Sequence, residues 1–207
     1  MTMRRVTATR SMAVTHAVVV TLTVLVVVAL PTRSSHAQGT SAGAQSVWDA
    51  LRTLGVVVVV RHSYAPGGFD PPGARLDDCS TQRNLDDAGR AQARRIGEAF
   101  REHAIAVGRV LSSPRCRCLD TARLAFGRAE AWPPLQGALN DAEMRRRLVA
   151  EIRDVIAAHR DGPALVLVTH GSVVSDLTAL NVRMGEFVIL RRGADGAHSV
   201  AGQLYVE

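Results

Sequence analysis

Two short apolar runs, each followed by a histidine, constrain the fold of this sequence more than any other feature. The first run lies in GVVVVVRHSY, residues 55–64, and the second in ALVLVTHGS, residues 164–172. β-Branched residues favour extended chain, and an unbroken apolar run is typical of a strand buried on both faces of a sheet. In open α/β sheets, ligands bind where the carboxyl ends of such strands meet. We therefore expect His62 and His170 to lie together at one edge of a sheet.

The rest of the chain alternates between helical and extended patterns. SVWDALRTL has helical spacing with Ser46 as its cap, a second helix starts after Asp86, and a third begins at PRCRC and stops at Gly127. VGRVLSS indicates a strand, AEMRRRLVAEIRDVIAAHR and VVSDLTALN indicate helices, and EFVILRR with HSVAGQLYVE indicates an antiparallel edge. The alternation predicts an α/β fold, a three-layer α/β/α sandwich with a mostly parallel central sheet.

The amino-terminal segment has the pattern of a secretory signal. Arginines precede a long apolar stretch, and small residues surround Ala37. We expect a signal peptide over residues 1–37, a flexible lead-in over 38–45 and one domain over 46–207. The protein would then be periplasmic or secreted. The alternative is an uncleaved segment that anchors the protein in a membrane, because the apolar stretch is near spanning length.

The charge balance gives little support to nucleic-acid binding. The chain has 25 Lys and Arg residues against 19 Asp and Glu, and every basic residue is an arginine. Four of these 25 arginines lie before Gln38 with no acidic residue among them, which leaves 21 basic against 19 acidic residues, a net charge of +2. No nucleic-acid-binding motif is present. The high pI therefore reflects mainly the targeting segment.

Arginines accompany both histidines at the predicted edge. Arg61 precedes His62, and the strand VGRVLSS leads into a helix that carries Arg117 near its start. Guanidinium groups bind phosphate oxygens bidentately and keep their charge. A neutral imidazole can attack phosphorus, and nearby arginines help to keep it neutral. Together with His170, these residues predict a site for a phosphoryl group.

Four sequence pieces resemble those of a known family. The pieces lie between about residues 56 and 173 and are, in order, Arg61-His62 after the valine run, NLDDAGRAQA, VLSSPRCRCLDTA and LVTHGS. In this order and spacing they resemble the histidine phosphatase superfamily, in its phosphoglycerate-mutase-like branch. The resemblance implies that His62 is phosphorylated during turnover and that Arg61, Arg117 and His170 hold the phosphoryl group, with no metal or cofactor. DDCSTQRNL and RCRC further resemble small exported members, which are related to lipopolysaccharide core heptose phosphatases.

The sequence departs from this family at two positions. Ser63 stands where many members have glycine, and Asn140 stands where the family often has a glutamate that acts as general acid. Asn140 has no proton to give up. We rank Asp141 first as the replacement acid, then Glu186, then Glu143. We expect the substrate to contact Ser63, Glu186 and Arg83. Arg83 lies in the glycine- and proline-rich loop that faces the site.

Three cysteines would reach an oxidising compartment. They allow one disulfide and one remaining thiol. We expect Cys79 to pair with Cys116, with Cys118 buried as a small apolar residue, and a Cys79–Cys118 pair is the alternative. A metal site is disfavoured because no nearby histidine completes a tetrahedral set.

The sequence therefore predicts an exported, metal-independent phosphatase that hydrolyses a phosphate monoester through a phosphohistidine on His62. The expected partner is a small phosphorylated substrate, such as an envelope sugar phosphate, with neither nucleic acid nor, after signal cleavage, a membrane. Mutase activity is disfavoured because the segment from Gly127 to Asp141 is short. Two alternatives stay open: a non-catalytic phosphate-ligand-binding protein, and a phosphohistidine or phosphoprotein phosphatase. Oligomeric state is not predicted.

Overall fold

The structure is a computed structural model that describes residues 36–138 and 140–207. Most of the predicted signal peptide, up to residue 35, lies outside these described residues. Within them, no helix combines the length and the apolar character needed to cross a membrane.

Six strands form one mixed sheet, in the order β3-β2-β4-β1-β5-β6. β1 is parallel to β4, β4 to β2, and β2 to β3, whereas β5 is antiparallel to both β1 and β6. The predicted mostly parallel sheet with an antiparallel edge is confirmed. The strands are β1 (Val57–Arg61), β2 (Val107–Ser112), β3 (Glu130–Ala131), β4 (Ala164–Thr169), β5 (Phe187–Arg192) and β6 (His198–Leu204).

Helices cover both faces of this sheet, because the two faces of each central strand are apolar. Val58 and Val60 pack with helices α1, α2 and α3 on one face, and Val57 and Val59 pack with α4 and α5 on the other. Successive side chains of a strand point to opposite faces, so a run of valines supplies apolar surface to both layers. The helices are α1 (His36–Leu51), α2 (Asp87–Glu102), α3 (Cys116–Phe126), α4 (Ala142–Ala158) and α5 (Gly171–Thr178).

The helix ends follow local sequence signals in most cases. The Asp86 side chain caps α2 by accepting from the Gly89 N–H, as predicted. Gly127 ends α3 with a φ of 71°, a left-handed conformation that favours glycine. The start of α3 falls at Cys116, two residues later than the predicted start at Pro114.

The lead-in predicted over residues 38–45 is helical in the structure, as part of α1. The segment contains no proline, and its alanines and glutamines favour a helix whereas its two glycines disfavour one, so its composition did not decide between helix and irregular chain. Ser46 consequently lies inside α1 rather than at its start. Its hydroxyl donates to the Gly43 carbonyl, 2.7 Å away.

A disulfide joins Cys79, in a 3₁₀ turn over Cys79–Thr81, to Cys116 at the start of α3. Their Cα atoms are 5.7 Å apart. The predicted pairing is confirmed, and Cys118 is the free, buried thiol. The bridge fixes the glycine- and proline-rich loop after β1 to the helix that carries Arg117.

Candidate active site

The structure brings the two predicted histidines together at the carboxyl ends of β1 and β4. The His62 N–H donates to the Thr169 carbonyl, 2.9 Å away, which aligns the two strand ends. The imidazole rings of His62 and His170 have centroids 5.5 Å apart. His62 is 2% exposed and lines a cavity at these strand ends.

Hydrogen bonding assigns the proton of the His62 imidazole. Nδ1 lies 2.8 Å from the Ser63 carbonyl oxygen. A carbonyl can only accept, so Nδ1 carries the hydrogen and Nε2 keeps a free lone pair. Nε2 is therefore the atom that can attack an electrophile.

The surroundings of His62 also keep its imidazole neutral. Burial, which has the largest effect, and the charges of Arg117, Arg83 and Arg61 together lower the pKa of His62 to about 3, against the opposing effect of the Ser63 hydrogen bond. A neutral imidazole is the nucleophilic form. His62 is thus ready to attack across the physiological pH range.

His170 is held at the start of α5 by a second set of contacts. Its Nε2 lies 2.9 Å from the Ser113 hydroxyl, and the Arg117 guanidinium lies 3.5 Å from its Nδ1. An arginine can only donate, so Nδ1 accepts and Nε2 carries the hydrogen. Burial lowers the pKa of His170 well below its ordinary value, with Arg117 adding to the effect.

Arginines surround the two imidazoles and present unsatisfied donors. Arg61 donates through one terminal nitrogen to the Val182 carbonyl at 2.7 Å, and Arg83 donates to the carbonyls of Ala65 and Gly67. The Nε atoms of Arg61, Arg83 and Arg117 are buried and have no hydrogen-bond partner among the described residues. All three arginines line one open cavity, and guanidinium groups bind phosphate oxygens there by charge and by hydrogen bonds.

Asp70, which sequence reasoning missed, lies within this arginine cluster. Its Oδ1 accepts from Arg117 at 2.8 Å and from the Arg83 N–H at 2.9 Å, and its Oδ2 lies 3.4 Å from Arg115. The glycines and prolines around Asp70 mark a loop facing the site, but no periodicity indicates which side chain turns inward. Arg115 also went unpredicted, although it belongs to the RCRC piece.

These residues line an open cavity of about 610 Å³. The lining includes Asp70 and several arginines, among them Arg145, which pairs with Asp176. It also includes neutral polar side chains: Gln136, Ser172, Ser175 and Asn181. Phe69, at the rim, is 84% exposed. The cavity therefore combines cationic side chains with neutral polar side chains that can bind the rest of a substrate.

Asp141, the first-ranked acid, is not brought to this cavity. It is exposed and caps α4, where its Oδ1 accepts from the Met144 N–H at 2.9 Å. Its place directly before a helix explains this role, because aspartate is a preferred N-cap residue. Glu143, in the first turn of α4, is also exposed and does not line the cavity.

Glu186 and Ser63 do not line the cavity either, contrary to prediction. Glu186 is buried before β5, where its carboxylate accepts from the Arg183 N–H at 2.7 Å and so stabilises the chain there. Ser63 is fully buried, and its N–H donates to the Thr121 hydroxyl at 3.0 Å, which fixes β1 to α3. Both residues therefore stabilise the backbone next to the site and do not face the cavity. Of the predicted site residues, Arg61, His62, Arg83, Arg117 and His170 do line the cavity.

The described residues hold no cluster of three or more histidine, cysteine or acidic side chains that could bind a metal ion. The positive charge in the cavity comes from arginines instead. Such a pocket suits a phosphoryl group, since planar guanidinium groups match its oxygens and remain charged at any working pH.

Comparison with protein families gives one match. Residues 57–140 match the model of the histidine phosphatase superfamily, branch 1. This segment includes His62, Asp70, Arg83 and Arg117. No curated protein sequence matches the chain significantly.

Many solved structures share the fold. The protein histidine phosphatase SixA complexed with tungstate is 16% identical, has a TM-score of 0.53, and matches over 72% of this chain and 96% of its own. A candidate alpha-ribazole-5'-P phosphatase from Escherichia coli K-12 is 12% identical, with a TM-score of 0.58 and coverage of 73% and 98%. A phosphoserine phosphatase mutant from Entamoeba histolytica, solved with phosphoserine, is 11% identical, with a TM-score of 0.51 and coverage of 72% and 95%. At such identities, the similarity describes the fold.

Proposed function

Since residues 57–140 match the model of the histidine phosphatase superfamily, branch 1, we propose that this chain is a phosphatase of that family and hydrolyses phosphate monoesters through a phosphohistidine on His62. One observation carries the proposal. The imidazole of His62, with a free lone pair on Nε2, and the guanidinium groups of Arg61, Arg83 and Arg117 line the same cavity. A nucleophile and a set of phosphate-binding side chains thus occupy one site.

In the proposed reaction, the substrate phosphate binds Arg61, Arg83 and Arg117 beside His170. The Nε2 lone pair attacks phosphorus as the bond to the leaving oxygen breaks. The Ser63 carbonyl accepts from Nδ1–H and so stabilises the positive charge that develops on the ring. Water then hydrolyses the phosphohistidine. No step requires a metal or a cofactor.

We further propose that the substrate is a small phosphorylated compound with a polyhydroxylated leaving group, such as an envelope sugar phosphate. The neutral polar side chains Gln136, Ser172, Ser175 and Asn181 support this, because hydroxyl groups would hydrogen-bond to them. We also propose that the protein is exported, to the periplasm or beyond the cell. The Cys79–Cys116 bridge supports export, since such bonds persist in oxidising compartments.

The test is to trap the covalent intermediate. We expect the purified protein, mixed with p-nitrophenyl phosphate and quenched in alkali, to carry one phosphoryl group on His62, located by mass spectrometry. We expect His62→Asn to lose turnover and labelling while still binding vanadate, and a chelator to leave the unmutated protein active. His103→Asn is the matched control, because His103 stacks on Trp48 away from the cavity.

Two results would contradict the proposal. Ordinary turnover by the His62→Asn protein would exclude the covalent route. Tight phosphate binding by the unmutated protein, without hydrolysis of any alkyl, aryl or histidine phosphate, would instead indicate a non-catalytic binding protein.

A further inference from the structure

Asp70 supplies the only carboxyl group that lines the cavity in the described part of the chain. Its side chain is 14% exposed, and both of its oxygens face arginines. The residues predicted as acids, Asp141, Glu186 and Glu143, lie elsewhere. If an acidic side chain protonates the leaving group, Asp70 is the best candidate, because its carboxyl group lines the cavity.

The location of Asp70 suits a leaving group. In phosphoryl transfer the nucleophile and the leaving oxygen lie roughly in line on opposite sides of phosphorus. His62 is almost fully buried, so the leaving oxygen, on the opposite side of phosphorus, lies toward the solvent-accessible part of the cavity. Asp70 lines this cavity with the exposed Phe69, and it contacts Arg117, which also approaches His170.

The charges around Asp70 change when a phosphate binds. In the free protein, partial burial by itself would raise the pKa of Asp70, but the Arg83 N–H and the charges of Arg117 and Arg115 outweigh it, so the pKa lies below its ordinary value. A bound phosphate would take donors from these same arginines and place negative charge beside the carboxylate. Both changes favour the protonated form of Asp70.

We propose that Asp70 is the general acid of this site, an inference that rests on the proposed phosphatase function. As Nε2 of His62 bonds to phosphorus, the phosphorus–oxygen bond breaks with its electron pair on the leaving oxygen, and that oxygen takes the proton of Asp70. In the second step, the Asp70 carboxylate takes a proton from the attacking water. The phosphorus–nitrogen bond breaks, its electron pair returns to Nε2, and phosphate is released.

The test compares two leaving groups in an Asp70→Asn protein. Asparagine keeps the size of the side chain and one oxygen to accept from Arg117, but it has no acidic proton. We expect kcat for an alkyl phosphate, such as glycerol phosphate, to fall by about 10²–10⁴-fold, the usual contribution of a general acid. We expect kcat for p-nitrophenyl phosphate to fall by less than about tenfold, because its leaving group departs without a proton.

A pH profile and a control separate catalysis from structure. We expect kcat of the unmutated protein on the alkyl phosphate to decline on the basic side, where Asp70 loses its proton in the complex, and this decline to disappear in Asp70→Asn. Asp77→Asn makes the same chemical change in the same loop, on an exposed side chain that pairs with Arg75. We expect it to leave both substrates unaffected.

Three results would overturn the inference. Equal losses on both substrates with a raised KM would show that Asp70 only positions Arg117. A loss confined to alkyl phosphates in Asp141→Asn rather than in Asp70→Asn would give the role to Asp141. Hydrolysis of aryl but not alkyl phosphates by the unmutated protein would show that the site has no general acid, although His62 would still be the nucleophile.

Discussion

Cys118 is a fully buried thiol that contacts the imidazole of His170, with Sγ 3.7 Å from Nε2. Burial raises the pKa of the Cys118 thiol to about 12. Since the thiolate is the reactive form, only about one molecule in 10⁵ is reactive at pH 7. Cys118 therefore packs against His170 without offering a nucleophile of its own.

We predict that the folded, unreduced protein does not react with iodoacetamide at pH 7, because Cys118 is both protonated and inaccessible. In urea without a reductant, one thiol per chain should be alkylated, and after reduction all three. Mass spectrometry of the alkylated protein measures each count. Rapid alkylation of Cys118 in the native state would show that α3 opens next to His170.

Single residues also show how far sequence could predict the site. His62, His170, Arg61 and Arg117 were predictable because each follows a buried strand or begins a helix at a fixed offset. Asp70 was not, because its inward orientation depends on ion pairs formed only after the loop closes on α3. Sequence position placed Asp141 near the site, but helix capping decided where its carboxylate points.

Among the elements, the loop after β1 and helix α3 act as a pair. The Cys79–Cys116 bridge joins them, and the Gln82 side chain accepts from the Cys116 N–H at 3.0 Å. The ion pair between Asp70 and Arg117 crosses the same boundary. The two walls of the cationic pocket are thus held together by one covalent bond and several polar contacts.

We predict that the double substitution Cys79→Ala with Cys116→Ala lowers the free energy of unfolding by about 2–4 kcal/mol, the usual contribution of a disulfide. KM for p-nitrophenyl phosphate should rise, because Arg83 and Arg117 would no longer be held in register. Urea unfolding and steady-state kinetics measure the two effects. Dithiothreitol serves as the control: it should destabilise the unmutated protein and leave the double variant unchanged. Equal stability of both proteins would mean that the bridge is dispensable.

The elements themselves were predicted well where side-chain periodicity is strong. The two apolar runs before His62 and His170 indicated strands that are buried on both faces, and Asp86 indicated the start of α2. Prediction was weaker over residues 38–45, where small polar residues are compatible with either a helix or a coil. It was also weaker in the loop after β1, where glycine and proline exclude regular structure without indicating a path.

At the scale of the whole molecule, two buried neutral histidines make stability depend on pH. The pKa of His62 falls from an unfolded value near 6.5 to about 3 in the folded protein, mainly through burial, and that of His170 is also lowered well below its ordinary value. The unfolded chain therefore binds more protons than the folded chain below pH 6.5. Stability that is present above pH 6.5 is lost progressively as the pH falls toward the folded value.

We predict that the free energy of unfolding decreases between pH 6 and 4.5 by up to about 1.4 kcal/mol per pH unit for each of the two histidines. In His62→Asn this slope should be shallower by the contribution of one histidine, since asparagine does not titrate. Urea unfolding at several pH values measures the slope. An identical slope in both proteins would mean that His62 is protonated in the folded state.

The order of the strands bears on how the molecule comes apart. β1 lies inside the sheet, paired with β4 on one side and β5 on the other, whereas β3 and β6 form the edges. Edge strands can fray in brief local openings, but the amides of Val57–Val60 exchange their hydrogens only when the interior of the sheet separates. The two histidines follow adjacent interior strands, so loss of an edge would leave them side by side. We therefore expect the proposed nucleophile, His62, to keep its place beside His170 in openings that are confined to the edges of the sheet.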